Sequence, residues 1–104
     1  MEISPVELKQ KLERKDSLLL IDIRETKEYA ICHLEGSVLI PIKELPFRLK
    51  EIDPDRDAVL YCHHGVRSAQ AAGWLRKNGF TRVYSLKGGI DRWAETVDPT
   101  IARY

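Results

Sequence analysis

The chain is short of the features that mark specialised protein classes. No apolar run approaches the roughly 20 residues that span a bilayer. Met1-Glu2-Ile3-Ser4-Pro5 has neither the basic start nor the apolar stretch of a secretory signal. The cytoplasm is therefore the expected location, and no membrane partner is expected. Two cysteines, Cys32 and Cys62, are too few for a disulfide framework in a chain able to build its own core. No C-x-x-C or H-x-x-x-H spacing occurs, and His63 and His64, being adjacent, are expected to point apart rather than chelate one ion, so no metal is expected. A one-sided charge is missing too. Lysine and arginine number 17 against 16 acidic residues, with no long like-charge block and a net charge of +1, which argues against nucleic acid as a partner. Internal repeats, low-complexity segments and linkers are also absent.

What is present is ordinary globular material. The 104 residues are 43% hydrophobic and 32% charged, enough for one core and too few for two domains. The expectation is a single domain over residues 1–104, its core from about residue 4 to about residue 95 and a short tail over 96–104. Ser4-Pro5-Val6-Glu7 reads as a capping box with proline at the first helical position, and Val6, Leu8 and Leu12 mark an apolar face to about Arg14. Leu18 to Ile23 is a near-continuous apolar run suited to a strand covered on both faces. A short helix is expected around Lys27 to Ile31, a strand over Ser37 to Ile40 and a helix over Ile42 to Ile52. A strand follows over Ala58 to Tyr61, and then a helix over Ser68 to Asn78 with Ala69, Ala72 and Leu75 inward and Gly79 closing it. Arg82 to Leu86 reads as a strand, Gly88-Gly89 as a turn, and Ile90 to Glu95 as a helix anchored by Trp93. Asp98 to Tyr104 reads as irregular. Strands alternating with helices imply a three-layer α/β/α domain around a mostly parallel sheet of about five strands. In such sheets, sites gather at the carboxyl ends of strands, where Asp22 and Cys62 fall.

The chemistry concentrates in Cys62-His63-His64-Gly65-Val66-Arg67-Ser68. A thiol at the end of a buried strand faces the positive end of the next helix, surroundings that favour thiolate. Backbone amides of Gly65, Val66 and their neighbours can curl into a cradle for negative charge, and Gly65 is free to take the positive φ that a tight cradle needs. Arg67, His63 and His64 can add positive potential, the histidines only below about pH 6.5. Two roles are open for Arg67: contact with an anionic substrate, or an internal salt bridge to a carboxylate such as Asp22. His63 and His64 are loop walls or proton shuttles. Ser68 is an N-cap or a substrate contact.

Taken together, these pieces resemble the rhodanese family. Asp22-Ile23-Arg24-Glu25 resembles its first motif, which makes Asp22 and Arg24 supporting residues. The stretch from Tyr29 to Pro41, with His33-Leu34-Glu35-Gly36-Ser37 inside it, resembles the second. Tyr61 to Ser68 resembles the loop Cys-x-x-Gly-x-Arg-Ser. Gly79-Phe80, Val83 and Leu86-Lys87-Gly88-Gly89-Ile90-x-x-Trp93 resemble the closing motif. The resemblance runs from about Ser4 to Trp93 and is to a stand-alone rhodanese. It implies a sulfurtransferase in which Cys62 takes sulfur from thiosulfate or a similar anion, holds it as a persulfide, and yields it to cyanide or a thiol. Such chemistry uses no metal and no organic cofactor.

There are departures. Cys32 stands where the family has a small residue, as filler or as a second, resolving thiol. Ser37 stands where alanine is common. His63 and His64 replace cationic residues that some members offer to thiosulfate. Three rival readings differ in testable ways. Cysteine phosphatases carry a longer loop between cysteine and arginine than the four residues His63 to Val66. A sulfur-relay protein would take persulfide sulfur from a desulfurase and deliver it to a biosynthetic partner. A non-catalytic module would lack Cys62.

Overall fold

The computed structural model describes residues 1–104. The elements run β1 (Glu2–Ile3), α1 (Pro5–Glu13), β2 (Leu18–Asp22), α2 (Thr26–Ile31), β3 (Val38–Leu39), β4 (Asp57–Tyr61), α3 (Val66–Lys77), β5 (Val83–Leu86) and α4 (Gly89–Thr96), with two single 3-10 turns at Leu45–Phe47 and Leu49–Glu51. The five strands form one sheet in the order β1-β5-β4-β2-β3, every pairing parallel. β4 is central, with Leu60 opposite Ile21 in β2 and Ser85 in β5. No helix is long and apolar enough to cross a membrane.

The period-2 alternation of β4 divides the interior into two cores. Ala58, Leu60 and Cys62 face Ala71, Ala72 and Leu75 of α3 together with Leu45 and Ile52. Val59 and Tyr61 face Leu8 of α1 and Ile90 and Trp93 of α4. Burial on both faces explains why β2 and β4 read as continuous apolar runs. It also makes the sheet the middle of three layers, as the alternation of elements predicts.

Several local expectations are corrected. The helix expected over Ile42 to Ile52 is replaced by the two 3-10 turns. Pro46 has no N–H and its ring clashes with the carbonyl four residues back, so no α-helix passes through it. Leu45 and Ile52 still point into the core. In α1 only Pro5 and Leu8 are buried, whereas Val6 is 53% exposed, so the expected apolar face is narrower. In α3 the inward residues are Ser68, Ala71, Ala72 and Leu75; Ala69 faces solvent. Strand β1 was not expected, since two residues carry no periodicity; it pairs Glu2 with Ser85 and Ile3 with Leu86. Gly79 closes α3 at φ +93°, with the Phe80 amide bonded to the Leu75 carbonyl, as its sequence position predicts.

Candidate active site

β4 ends at Tyr61 and delivers Cys62 to the carboxyl edge of the sheet, 1% exposed. The loop then curls over the sulfur. The Gly65 amide donates to Cys62 Sγ over 3.1 Å and the Ser68 amide over 3.4 Å. Sγ also lies 3.4 Å from Ser68 Oγ. Gly65 makes this curl by adopting φ +96°, and a Cβ there would stand 3.0 Å from the Gly88 nitrogen. α3 starts at Val66, two residues earlier than expected, so its amino end lies directly behind the sulfur.

Ser68 is therefore not the N-cap expected of it; Gly65 holds that position. Ser68 sits inside the first turn, fully buried, with Oγ 2.7 Å from Ser85 Oγ of β5. The sequence does not single out Ser85, because a lone serine in a strand carries no signal of its own.

The outer side of the loop is fixed by α4. The Ile90 amide donates to the Cys62 carbonyl over 2.9 Å, and the Asp91 amide to the His63 carbonyl over 3.1 Å. Gly88-Gly89 is thus the start of a helix that docks on the loop, rather than a free turn.

Arg67 pairs with neither Asp22 nor any other motif carboxylate. Its two terminal nitrogens each lie 3.3 Å from a carboxylate oxygen of Glu28 in α2. Burial opposes ionisation of Glu28, yet Arg67, the Glu25 amide and the Tyr104 hydroxyl hold its pKa down at about 2. The same pairing raises Arg67. Asp22 instead binds Arg24, through Nε at 2.9 Å and Nη2 at 2.6 Å, both side chains fully buried. Arg24 also donates to the Cys32 carbonyl over 2.6 Å and to the Tyr104 hydroxyl over 2.7 Å. Burial works against its charge, and the bonds to Asp22 and Tyr104 outweigh it, leaving the guanidinium raised. Asp22 and Arg24 so tie the end of β2 to residues 32 and 104 and do not touch Cys62 Sγ.

The histidines also depart from expectation. Rather than pointing apart, the rings of His63 and His64 stack with centroids 3.9 Å apart, and Tyr104 stacks on His63 at 3.8 Å and 6°. Burial and the neighbouring His64 lower His63, which disfavours its charged form. Nitrogen atoms of the two histidines and a carboxylate oxygen of Asp91 come within 4.8 Å of one another. Both Asp91 oxygens, however, already accept from Arg103 at 3.0 and 3.1 Å.

The departure at Ser37 has a structural reason. Its hydroxyl donates to the Leu34 carbonyl over 2.7 Å and meets the Tyr61 hydroxyl at 3.0 Å, while the Leu34 amide donates to that same Tyr61 oxygen. A buried phenol thereby ties the His33 to Ser37 stretch to the end of β4. Cys32 is half-buried, its Sγ 4.0 Å from Arg24 Nη1.

Known proteins of similar sequence and fold place the chain in a family. Residues 4–96 match the Rhodanese-like domain family. A sulfurtransferase from Allochromatium vinosum is 40% identical over 101 residues, which cover 97% of this chain and 94% of that one. The thiosulfate sulfurtransferase GlpE of Actinobacillus pleuropneumoniae is 34% identical over 103 residues, covering 99% and 94%. A crystal structure of a rhodanese-related protein from Thermoplasma volcanium superposes with a TM-score of 0.83 at 29% identity over 92% of each chain.

Proposed function

The chain belongs to the rhodanese-like domain family, and from that premise we propose that it is a sulfurtransferase working through a Cys62 persulfide. The observation that carries this reading is the convergence of the Gly65 and Ser68 amides on Cys62 Sγ. Preorganised donors around one sulfur stabilise negative charge on it without reorganisation during reaction.

The cycle has two displacements. The Cys62 thiolate attacks the outer sulfur of thiosulfate; the S–S bond of the donor breaks, its electron pair leaves with sulfite, and Cys62–S–S⁻ remains. The terminal sulfur then carries the charge. Cyanide or a thiolate attacks that sulfur, the Cys62 S–S bond breaks, and the Cys62 thiolate returns with thiocyanate or a new persulfide as product. Splitting the transfer in this way predicts ping-pong kinetics. Arg67, a loop cation close enough to Cys62 for their charges to interact, is available to an anionic donor, and Glu28 competes with the donor for it.

Initial rates of thiocyanate formation over a grid of thiosulfate and cyanide concentrations test the reading. Parallel double-reciprocal lines, with the activity absent in Cys62→Ser, support it; intersecting lines or an active Cys62→Ser protein contradict it. A protein donor is the second reading, since the chain is also 37% identical, over 88% of its length, to the putative sulfur carrier protein YrkF of Bacillus subtilis. Sulfur loading from a cysteine desulfurase, with none from thiosulfate, would select that relay.

A further inference from the structure

Tyr104 joins His63 of the loop to Glu28 and Arg24. Its ring lies flat on His63, the residue after Cys62, at 3.8 Å. Its hydroxyl donates to Glu28 Oε2 over 2.8 Å and accepts from Arg24 Nη1 over 2.7 Å. The same Glu28 oxygen lies 3.3 Å from Arg67. One phenol so spans from the flank of the loop at His63 to the carboxylate that holds Arg67 on the other. Arg103 beside it is forked onto Asp91, whose amide is bonded to the His63 carbonyl.

The loop itself is closed. Cys62 is 1% exposed, and a donor must reach its sulfur in line with the bond that breaks. The elements around the sulfur are set in two packed cores and cannot part cheaply. Tyr104 is different. It is 40% exposed, belongs to no helix or strand, and is fastened only by side-chain bonds and ring stacking. Segments of that kind open at the lowest free energy.

We propose that Tyr104 is a displaceable cover of the Cys62 loop and, through it, a determinant of which sulfur donors the site accepts. This rests on the reading of Cys62 as the reacting atom. When the phenol swings away, Arg24 Nη1 loses its only oxygen partner, its other contact being Cys32 Sγ at 4.0 Å, and Glu28 loses one of the bonds that fix it. A donor bearing oxyanion oxygens can replace the phenol on Arg24 and compete with Glu28 for Arg67. A neutral small donor has no such compensation and reacts only through the minor open population. Burial raises the Tyr104 hydroxyl to about 12, and Glu28 stays ionised down to about 2. The clasp therefore holds across the neutral range and opens by displacement, not by titration.

The test compares the full chain with Tyr104→Phe and Tyr104→Ala. Phenylalanine keeps the ring stack and removes the clasp; alanine removes both. The rate of Cys62 alkylation by iodoacetamide, followed by peptide mass mapping, reads access without requiring sulfur transfer. Alkylation should accelerate about tenfold in Tyr104→Ala, with Tyr104→Phe between it and the parent, as expected when bonds to two charged groups are lost. Thiosulfate kcat/KM should change by a smaller factor than alkylation, because the oxyanion donor already offsets the cover. Equal alkylation rates in all three proteins overturn the proposal whatever the transfer rates. Faster alkylation with no sulfur transfer in any of them upholds the cover and counts against the sulfurtransferase reading.

Discussion

Gly89 lies so close to the backbone of Cys62 that a Cβ on it would fall 2.5 Å from the Cys62 carbonyl oxygen. It also adopts φ +64°, which non-glycine residues seldom take. This contact lets α4 press its first amides onto the Cys62 and His63 carbonyls. With the carbonyls pinned outward, the amides of Gly65 and Ser68 are left to face the sulfur.

Gly89→Ala should therefore cost about 2–4 kcal/mol, from left-handed strain plus a backbone clash. Gly36→Ala is the matched control. Gly36 has φ +82° but open space where its Cβ would go, so only the strain of about 1–2 kcal/mol applies. Urea unfolding of both proteins checks the ordering. Sulfur transfer should fall in Gly89→Ala and be retained in Gly36→Ala.

The Ser68–Ser85 pair gives a second outcome. Their oxygens are 2.7 Å apart and both residues are fully buried. Replacing either by alanine leaves the other hydroxyl short of a partner, at about 1–3 kcal/mol. The double variant should cost less than the sum of the singles, since no orphan remains. Because Ser68 Oγ also lies 3.4 Å from Cys62 Sγ, Ser68→Ala should slow transfer more than Ser85→Ala does at matched stability. A double-mutant cycle on stability, with rates measured on the same four proteins, checks both statements.

Glu28 predicts an acid dependence. Its folded pKa of about 2 lies below its ordinary value of 4.5. A depressed carboxylate contributes stability that is fully present above the ordinary value and is lost as pH falls toward the folded one. Between about pH 5 and about pH 3 the parent should lose more stability than Glu28→Gln, which has no such carboxylate to titrate. The same substitution releases Arg67, so the KM for thiosulfate should fall. Urea midpoints across that pH range and steady-state kinetics near neutrality check the two effects separately.

Much of this arrangement was legible in the sequence. The apolar runs Leu18 to Ile23 and Ala58 to Tyr61 announce strands buried on both faces, and the thiol after the second of them marks the candidate site. Gly65 with a helix behind it announced the cradle. What stayed hidden were contacts between residues far apart in the chain. Glu28 looked like an ordinary helix carboxylate, and nothing in local spacing joins it to Arg67, 39 positions away. Ser85 needed the sheet register, which sets β5 beside β4. Tyr104 lay in a polar stretch without periodicity, and its 80-residue reach to Arg24 is purely tertiary. The helix expected over Ile42 to Ile52 fails for a local reason: its apolar spacing is helical, but Pro46 has no N–H to carry an α-helix through it.

The most direct test of the account is intact-protein mass spectrometry of the full chain after incubation with thiosulfate, before and after cyanide. The expected result is a gain of one sulfur atom, about 32 Da, that cyanide reverses, that peptide mapping places on Cys62, and that Cys62→Ser abolishes. A reversible sulfur that persists in Cys62→Ser, or that maps to Cys32, would contradict it.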